Sequence, residues 1–296
     1  MRTKEFIVTQ VLAVMICGAA ALAALLPFVL LIIASFTDNA VVLSDGYSYF
    51  PRKWSLEAYQ YLLAQMETIG RAYVMSIAVT AVGVICSLIM TSLFAYATSQ
   101  NGIPGMKIVN FLLMFTMLFG GGMVSYYYVI VKYYHLRDTF WAQVFPGLLG
   151  AFNVILMRNY FKSNISPSLM EAARLDGASE FRIYSKVVMP LSLPINATIG
   201  LLTGLSYWNN WTNGLYFLTG RNGAKYYTLQ NILNNINKNI ELLKTVKDEA
   251  TMDRMSFPSA SIRMAIAVVG IVPMLILYPF FQKYFVKGIT LGGVKE

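Results

Sequence analysis

The chain has 296 residues, of which 57% are hydrophobic and 12% are charged, and its formal net charge is +9. Because soluble domains carry about 25% charged residues, this composition predicts an integral membrane protein. The Lys and Arg residues are dispersed between apolar stretches and form no basic stripe, which argues against nucleic-acid binding and favours contact with lipid headgroups.

Six apolar stretches predict an all-α polytopic membrane protein with six transmembrane helices in a single domain. The predicted spans are 8–36, 72–98, 108–131, 140–161, 191–211 and 262–284. Six spans place both termini on one side of the membrane, and the distribution of Lys and Arg weakly favours the cytoplasmic side. The first stretch is longer than the apolar core of a signal peptide, so we expect it to be retained as a span.

Three consecutive glycines, Gly120–Gly122, interrupt the third predicted span. They predict a weakened or bent helix unless a neighbouring helix packs closely there. Both a packing contact and a gate fit this pattern, and we favour the packing contact.

The predicted spans contain no Asp, Glu, Lys or Arg in their central parts, which disfavours coupling to ions through a carboxylate at membrane depth. The chain also lacks a phosphate-binding loop, a nucleophile with an adjacent base and a metal-ligand pattern. We therefore expect a non-catalytic protein with no cofactor and no metal of its own, and any nucleotide energy has to come from another subunit.

The polar loop 162–190 carries the most specific pattern in the sequence. Ser166–Pro167 fits the start of a short helix, and Ser168 with Glu171 fits a capping box in a competing register. Gly177 offers a left-handed cap at the end of this helix. Its predicted apolar contacts are Leu169, Ala172, Ala173 and Leu175, with Arg174 and Asp176 as charges at the rim.

Ser179 predicts the cap of a second short helix, which we expect to end at Pro190. Its predicted apolar face consists of Phe181, Tyr184, Val187 and Val188. Two short helices that meet at a glycine corner form a compact projection that fits a groove on a partner protein. The alternative, a hairpin that lies on the lipid surface, fits the same residues equally well.

An aromatic and amide-rich cluster ends the fifth predicted span. Aromatic faces and amides suit sugar stacking and hydroxyl binding, so the cluster is a candidate substrate path. An aromatic belt at the membrane interface is the alternative and the interpretation we favour. The cluster consists of Tyr207, Trp208, Asn209, Asn210 and Trp211.

The loop 162–190 resembles the cytoplasmic signature of the permease subunits of binding-protein-dependent ABC importers. The signature appears here as Glu171-Ala172-Ala173, Gly177 after three residues, and Val187-x-Met189-Pro190 after nine more, with Val and Met as departures that stay apolar. The run from Glu171 to Ala178, the tail from Phe281 to Gly288 and the Trp-Asn pair of the aromatic cluster resemble the carbohydrate branch, in particular the second permease of maltose-type systems.

This resemblance implies a type I ABC importer fold and transport of a sugar or oligosaccharide. It implies a second permease subunit, two cytoplasmic ATPase subunits that bind ATP and Mg²⁺, and an extracytoplasmic solute-binding protein that docks on external loops 37–70 and 212–261. It places the loop 162–190 and both termini in the cytoplasm, in a bacterial inner membrane. The residues implied to couple to the ATPase are Glu171, Ala172, Ala173, Arg174, Asp176, Gly177, Phe181 and Pro190.

Two alternatives remain open. An ABC importer for a non-sugar solute would carry the same loop, and only the finer resemblance argues against it. A passive channel or facilitator belongs to a different class and would have no use for a capped loop of this kind.

Overall fold

The computed structural model describes residues 4–100, 102–245 and 260–293. Within this part of the chain the structure is helical and contains no strand, apart from an isolated antiparallel bridge between Thr37 and Trp54. The predicted all-α class is therefore confirmed.

Fifteen α-helices are present in the described residues. They are α1 (Lys4–Ser35), α2 (Asn39–Asp45), α3 (Glu57–Ala64), α4 (Met66–Ser99), α5 (Met106–Leu118), α6 (Gly122–Tyr128), α7 (Trp141–Val144), α8 (Ala151–Asn164), α9 (Pro167–Leu175), α10 (Glu180–Ile183), α11 (Met189–Leu191), α12 (Leu193–Trp208), α13 (Thr212–Phe217), α14 (Leu229–Thr245) and α15 (Ala260–Gly293). Two π-helical segments, Val129–Tyr133 and Tyr184–Val188, and two 3₁₀ segments, Phe145–Gly147 and Ala224–Tyr226, complete them.

The described chain divides into two compact units. One contains the residues up to 69 together with 233–272, and the other contains 70–232 and the residues from 273 onward. The loop 162–190 and the aromatic cluster 207–211 both belong to the second unit.

Two described helical segments, Val8–Ser35 and Met66–Ser99, are each long and apolar enough to cross a membrane. Two bent pairs, Met106–Leu118 with Gly122–Tyr133 and Glu180–Leu191 with Leu193–Trp208, could each form a broken span. The fourth predicted stretch, 140–161, is divided between α7, a 3₁₀ turn and α8, because Pro146 and the extended Gly150 interrupt it. The assignment of six spans stays a prediction.

The three glycines at 120–122 break the third stretch by 120° between α5 and the helical segment that follows. The close packing that we favoured is not found within the described residues: a Cβ at Gly120 or Gly122 would meet no atom within 4 Å, and one at Gly121 would meet only Ser125. Gly122 has a φ of +76°, which L side chains rarely adopt. The glycines therefore serve the bend and not a packing contact.

The core of the second unit lies where α4, α8, α12 and the loop 162–190 meet. A cluster of buried apolar side chains joins these elements. Helix α12 approaches α4 closely through two glycines, since a Cβ at Gly200 would lie 3.4 Å from Leu88 and one at Gly204 would lie 3.6 Å from Val84. The buried members of the cluster are Ala95, Tyr96, Leu113, Val154, Met157, Phe161, Ile165, Ile183, Tyr184, Val188, Ile195 and Ile199.

Candidate functional site

The loop 162–190 turns at Gly177. Gly177 has a φ of +79°, and the turn is closed by two backbone hydrogen bonds: Ala178 N–H donates to the Ala173 carbonyl and Gly177 N–H donates to the Arg174 carbonyl, both at 3.0 Å. These bonds define a Schellman cap, the left-handed helix end in which glycine is the preferred residue. The predicted glycine corner is therefore present.

Helix α9 starts in the first of the two predicted registers. Ser166 has extended backbone angles at the N-cap, and Pro167 occupies the first turn, where a missing N–H costs nothing. The Ser166 hydroxyl lies 2.7 Å from the Ser168 hydroxyl. The proline thus decides the register, and the capping box is not used.

The two faces of α9 differ in burial. Met170 and Ala173 pack against the core cluster, while Glu171 and Ala172 are exposed. Leu175 is 89% exposed at the corner. The Glu-Ala-Ala triplet is therefore split: its first two residues face outward, and its third supports the helix from below.

The second helical segment of the loop is capped as predicted, since the Ser179 hydroxyl accepts a hydrogen bond from Arg182 N–H at 3.4 Å. Tyr184 and Val188 are buried, and Val187 is half-buried. Phe181 is 73% exposed and does not join the buried face. It lies beyond Gly177 along the chain and, with Leu169 and Leu175, is one of three exposed large apolar side chains of the loop.

Pro190 does not end this segment, contrary to our prediction. Helical backbone continues through Leu191, and the chain bends by 80° before α12. The wide turn at Tyr184–Val188, in which Met189 N–H donates to the Tyr184 carbonyl, precedes the proline. A π turn of this kind gives room for a proline ring that would clash with the preceding carbonyl in a regular α-helix.

Arg174 is bonded within the loop and to the end of α4, while its side chain stays 40% exposed. Its Nε donates to Glu180 Oε1 at 2.7 Å, and its Nη2 donates to Glu180 Oε2 at 3.4 Å and to Gln100 Oε1 at 2.9 Å. The Tyr96 hydroxyl donates to Glu180 Oε2 at 2.6 Å. These donors, Arg174 first and then Tyr96, lower the pKa of the Glu180 carboxyl below its usual value, so the side chain is ionised at neutral pH.

A second contact joins the loop to α4 one helical turn away. The hydroxyls of Tyr184 and Ser92, both buried, lie 2.6 Å apart, and the rings of Tyr96 and Tyr184 lie 5.5 Å apart. Tyr96, Gln100 and Ser92 were missed by sequence reasoning. Each lies more than 70 residues from its partner, and no local pattern marks such a contact.

Tyr207 of the aromatic cluster is buried as a wedge between α4 and the 3₁₀ turn. Its hydroxyl donates to the Val144 carbonyl at 2.7 Å. A Cβ added at Gly83 would lie 2.6 Å from the Tyr207 ring, and one at Gly147 would lie 2.9 Å from it. The two glycines therefore accommodate the ring.

The other four residues of the cluster have different surroundings. Trp208 is buried edge-on to Tyr73, with ring centroids 5.8 Å apart, and lines an apolar groove of about 580 Å³. Asn209 Nδ2 donates to the Leu205 carbonyl at the end of α12, and Asn210 Oδ1 accepts from Asn213 N–H at the start of α13. Trp211 is 40% exposed. The structure does not bring the five side chains together.

A buried amide network holds the start of the predicted external loop 212–261. Gln143 Nε2 donates to Asn231 Oδ1 at 2.8 Å, Asn213 Nδ2 donates to the Gln143 carbonyl at 3.1 Å, and Asn231 Nδ2 donates to the Trp211 carbonyl at 2.8 Å. Sequence reasoning missed this network, because no local pattern links Gln143 in the fourth apolar stretch to Asn213 and Asn231 in the polar stretch after the fifth. The rest of that loop, at 246–259, lies outside the described residues.

Among the described residues, no group of three or more His, Cys, Asp or Glu side chains is arranged to hold a metal ion. The residues from Phe281 to Gly288 are helical, but their side chains lie outside the described part of the chain.

Comparison with known proteins identifies the family of the chain. Residues 93–291 match the family described as the binding-protein-dependent transport system inner membrane component. The chain belongs to this family. It is therefore a multi-pass inner-membrane permease of an ABC importer, a non-catalytic subunit that works with ATPase and solute-binding partners.

Individual relatives cover nearly the whole permease. It is 37% identical over 279 residues to the polygalacturonan/rhamnogalacturonan transport system permease protein YtcP of Bacillus subtilis (strain 168), covering 93% of this chain and 94% of that protein. It is 32% identical to protein LplC of the same organism, covering 99% of this chain and 97% of that one. A solved structure of a bacterial ABC transporter involved in the import of the acidic polysaccharide alginate contains a similar chain, with a TM-score of 0.79, 31% identity and coverage of 96% and 99%.

The type I importer fold expected from the resemblance is thus confirmed. Membership of this family excludes the alternative that the chain is a passive channel or facilitator.

Proposed function

We propose that this permease translocates a saccharide, and that an oligosaccharide released from an acidic polysaccharide is the first substrate to test. The support is the similarity over nearly the full length to one protein named for polygalacturonan transport and to a chain from an alginate importer. A non-sugar solute remains the alternative outcome of the test.

The loop 162–190 is proposed to lie in the cytoplasm, as are both termini, and to dock into an ATPase subunit. The observation that carries this proposal is the exposed apolar corner: Leu175 and Phe181 are both largely exposed and flank the sharp turn at Gly177. Exposed large apolar side chains on a rigid, capped projection indicate a surface that a partner covers. The docking contacts are proposed to be Glu171, Ala172, Leu175, Asp176, Gly177 and Phe181.

Ala173 and Pro190 are proposed to support this surface from below, since Ala173 packs on the core and Pro190 follows the π turn. Arg174 is proposed to act within the loop, because its guanidinium is bonded to Glu180 and Gln100. The coupling role that the resemblance implies for Arg174 is therefore proposed to be indirect, through Glu180 and α4.

The assembly is proposed to contain a second, homologous permease, two ATPase subunits that bind ATP and Mg²⁺, and a solute-binding protein on the external loops 37–70 and 212–261. Closure of the ATPase subunits would move the two permease loops together and open the path to the outside. The permease pair would thus alternate between an inward-open and an outward-open state, and ATP binding would shift the population between them.

Within the aromatic cluster, Trp211 is proposed as the residue that contacts a sugar, because it is exposed while Tyr207 and Trp208 are buried. The amides of Asn209 and Asn210 bond to the ends of α12 and α13. We therefore propose a structural role for four of the five residues.

Co-expression with the partner permease, the ATPase and the binding protein tests the proposal. We expect the tagged permease to retain the ATPase through mild detergent extraction, and ATP hydrolysis to rise with binding protein and oligogalacturonides. A permease that never retains an ATPase would contradict the cytoplasmic docking role. Retention of the ATPase with stimulation only by a non-sugar solute would contradict the saccharide assignment alone.

A further inference from the structure

Two side chains of the loop reach α4 in a matched pair of contacts. Glu180 and Tyr184 are four residues apart, and they bond to Tyr96 and Ser92, which are also four residues apart. Residues at this spacing lie on one face of a helix. The loop is therefore attached to α4 along one face of each segment, over one full turn.

Arg174 extends the attachment to α9. Its guanidinium binds both oxygens of the Glu180 carboxylate and also the Gln100 side chain just beyond the end of α4. Glu180 thus receives donors from both α9 and α4. We define these four residues, Arg174, Glu180, Tyr96 and Gln100, as the elbow network.

An ion pair as exposed as that of Arg174 and Glu180 normally contributes little to stability. Here the geometry is bidentate, and the carboxylate also accepts a bond from the buried Tyr96. Networks of this kind hold a geometry more firmly than isolated pairs. The elbow network therefore fixes the angle between α9 and α10 and the position of both on α4.

Helix α4 leads from the elbow network toward the predicted external side. Ser76, twenty residues before Tyr96, accepts a hydrogen bond from Leu229 N–H at 2.9 Å. At 1.5 Å per residue the two contacts are about 30 Å apart along the helix, which is the thickness of a bilayer core. One continuous helix therefore joins the loop to the start of α14.

We propose that Glu180 and Tyr96 are positioning residues that transmit the movement of the ATPase-docked loop to helix α4. This inference rests on the proposed docking function. Neither residue is one of the proposed docking contacts, so removing them keeps those contact side chains but loosens the attachment of the loop to the helix, which uncouples its movement from α4.

The test follows α4 directly and needs no transported solute. A nitroxide label at Val74→Cys, in a background of Cys17→Ser and Cys86→Ser, reports on the far part of α4, where Val74 is 66% exposed. The reconstituted complex of both permeases, the ATPase and the binding protein is compared without nucleotide and after trapping with ATP, Mg²⁺ and vanadate. ATPase retention is measured on the same preparations.

We expect a nucleotide-dependent spectral change in the otherwise unchanged complex, and a decrease of that change by about fivefold or more in Tyr96→Phe and in Glu180→Gln. Both variants should retain the ATPase. Tyr133→Phe serves as a matched control, because it removes a hydroxyl from a tyrosine that is 72% exposed and outside the network.

Reversal of the ion pair separates transmission from simple loss of structure. Arg174→Glu alone should suppress the spectral change, and Arg174→Glu with Glu180→Arg should restore at least half of it. The reversed pair suits its neighbours, because the Gln100 amide can donate as well as accept and the Tyr96 hydroxyl can accept as well as donate.

The inference is overturned if Tyr96→Phe and Glu180→Gln both keep the full spectral change, or if they lose the ATPase, since the network would then serve docking. Should Glu180→Gln fail to assemble, Tyr96→Phe decides, because it removes one oxygen and leaves the ring beside Tyr184. A parent complex that binds no ATPase would overturn the proposed function as well, whereas normal behaviour of the parent and of both variants would overturn only this inference.

Discussion

Substitution of Gly177 tests whether the corner acts through its backbone. A Cβ at this position meets no atom within 4 Å, so the whole cost of a side chain comes from the φ of +79°. A non-glycine residue in left-handed geometry costs about 1–2 kcal/mol, and a β-branched residue costs more. If the chain instead leaves that geometry, it gives up the two hydrogen bonds of the Schellman cap, at about 0.5–1.5 kcal/mol each.

By either route Gly177→Val raises the free energy of the corner by about 2 kcal/mol, which lowers the ratio of the left-handed corner to other backbone geometries roughly 30-fold. We expect the complex to insert, because the corner is exposed, but to lose ATP hydrolysis stimulated by the binding protein and oligogalacturonides. Asparagine adopts left-handed geometry more readily than other non-glycine residues. Stimulated ATPase rates should therefore be highest for the unsubstituted permease and then fall in the order Gly177→Asn, Gly177→Ala and Gly177→Val.

Equal rates for the three variants would refute the backbone argument. A different outcome is that Gly177→Asn is as inactive as Gly177→Val while both variants retain the ATPase. Activity would then depend on the absence of a side chain at position 177, where a partner would have to approach closely. In that case Gly177 would act through its direct contact with the partner and not through its backbone geometry.

Three further predictions concern the same unit. Leu175→Ala should weaken binding of the permease to the ATPase by about 1.5–3 kcal/mol, measured by titration in detergent, because this exposed leucine is proposed to be buried on docking. The melting temperature of the purified permease should not change. Unchanged affinity would remove Leu175 from the docking surface. Gly83→Ala should destabilise the permease by about 1–3 kcal/mol, because the new methyl group would overlap the Tyr207 ring. The matched control is Gly70→Ala, also in α4 but with open space at its Cβ, which should be neutral or stabilising by up to about 1 kcal/mol. Thermal unfolding of both variants measures the difference. Tyr207→Phe should cost about 0.5–1.5 kcal/mol of stability and leave the apparent affinity for the transported solute unchanged. Trp211→Ala should weaken that affinity, measured in uptake assays. The opposite result would assign the substrate path to Tyr207.

Local rules predicted the loop well where the information is local. The cap at Ser179, the start at Ser166–Pro167 and the corner at Gly177 each depend on a few neighbouring residues, and all three are present in the structure. The end at Pro190 was wrong because a π turn, which no simple sequence pattern marks, makes room for the proline ring.

Long-range contacts could not be predicted in the same way. Arg174 was assigned to the rim because a charged side chain on a short helix normally faces water, yet Glu180 and Gln100 bind it. The glycines at 120–122 were assigned to packing, although the positive φ of Gly122 and the 120° bend explain them. The role of Arg174 depends on where another element lies, and the role of the glycines depends on the backbone geometry. Neither can be deduced from amino-acid composition.

The loop is connected to its two neighbouring helices in different ways. It is bonded to α4 through the elbow network and through Tyr184, whereas it continues into α12 across the 80° bend at Ser192 and packs on that helix mainly through apolar side chains. A bend alone would let α12 lag behind a moving loop. However, Gly200 and Gly204 bring α12 against α4, and Tyr207 fills the space at Gly83. Because packed helices transmit displacement through such close contacts, movement of α4 by the loop should carry α12 with it, and the two helices should respond to the ATPase as one body.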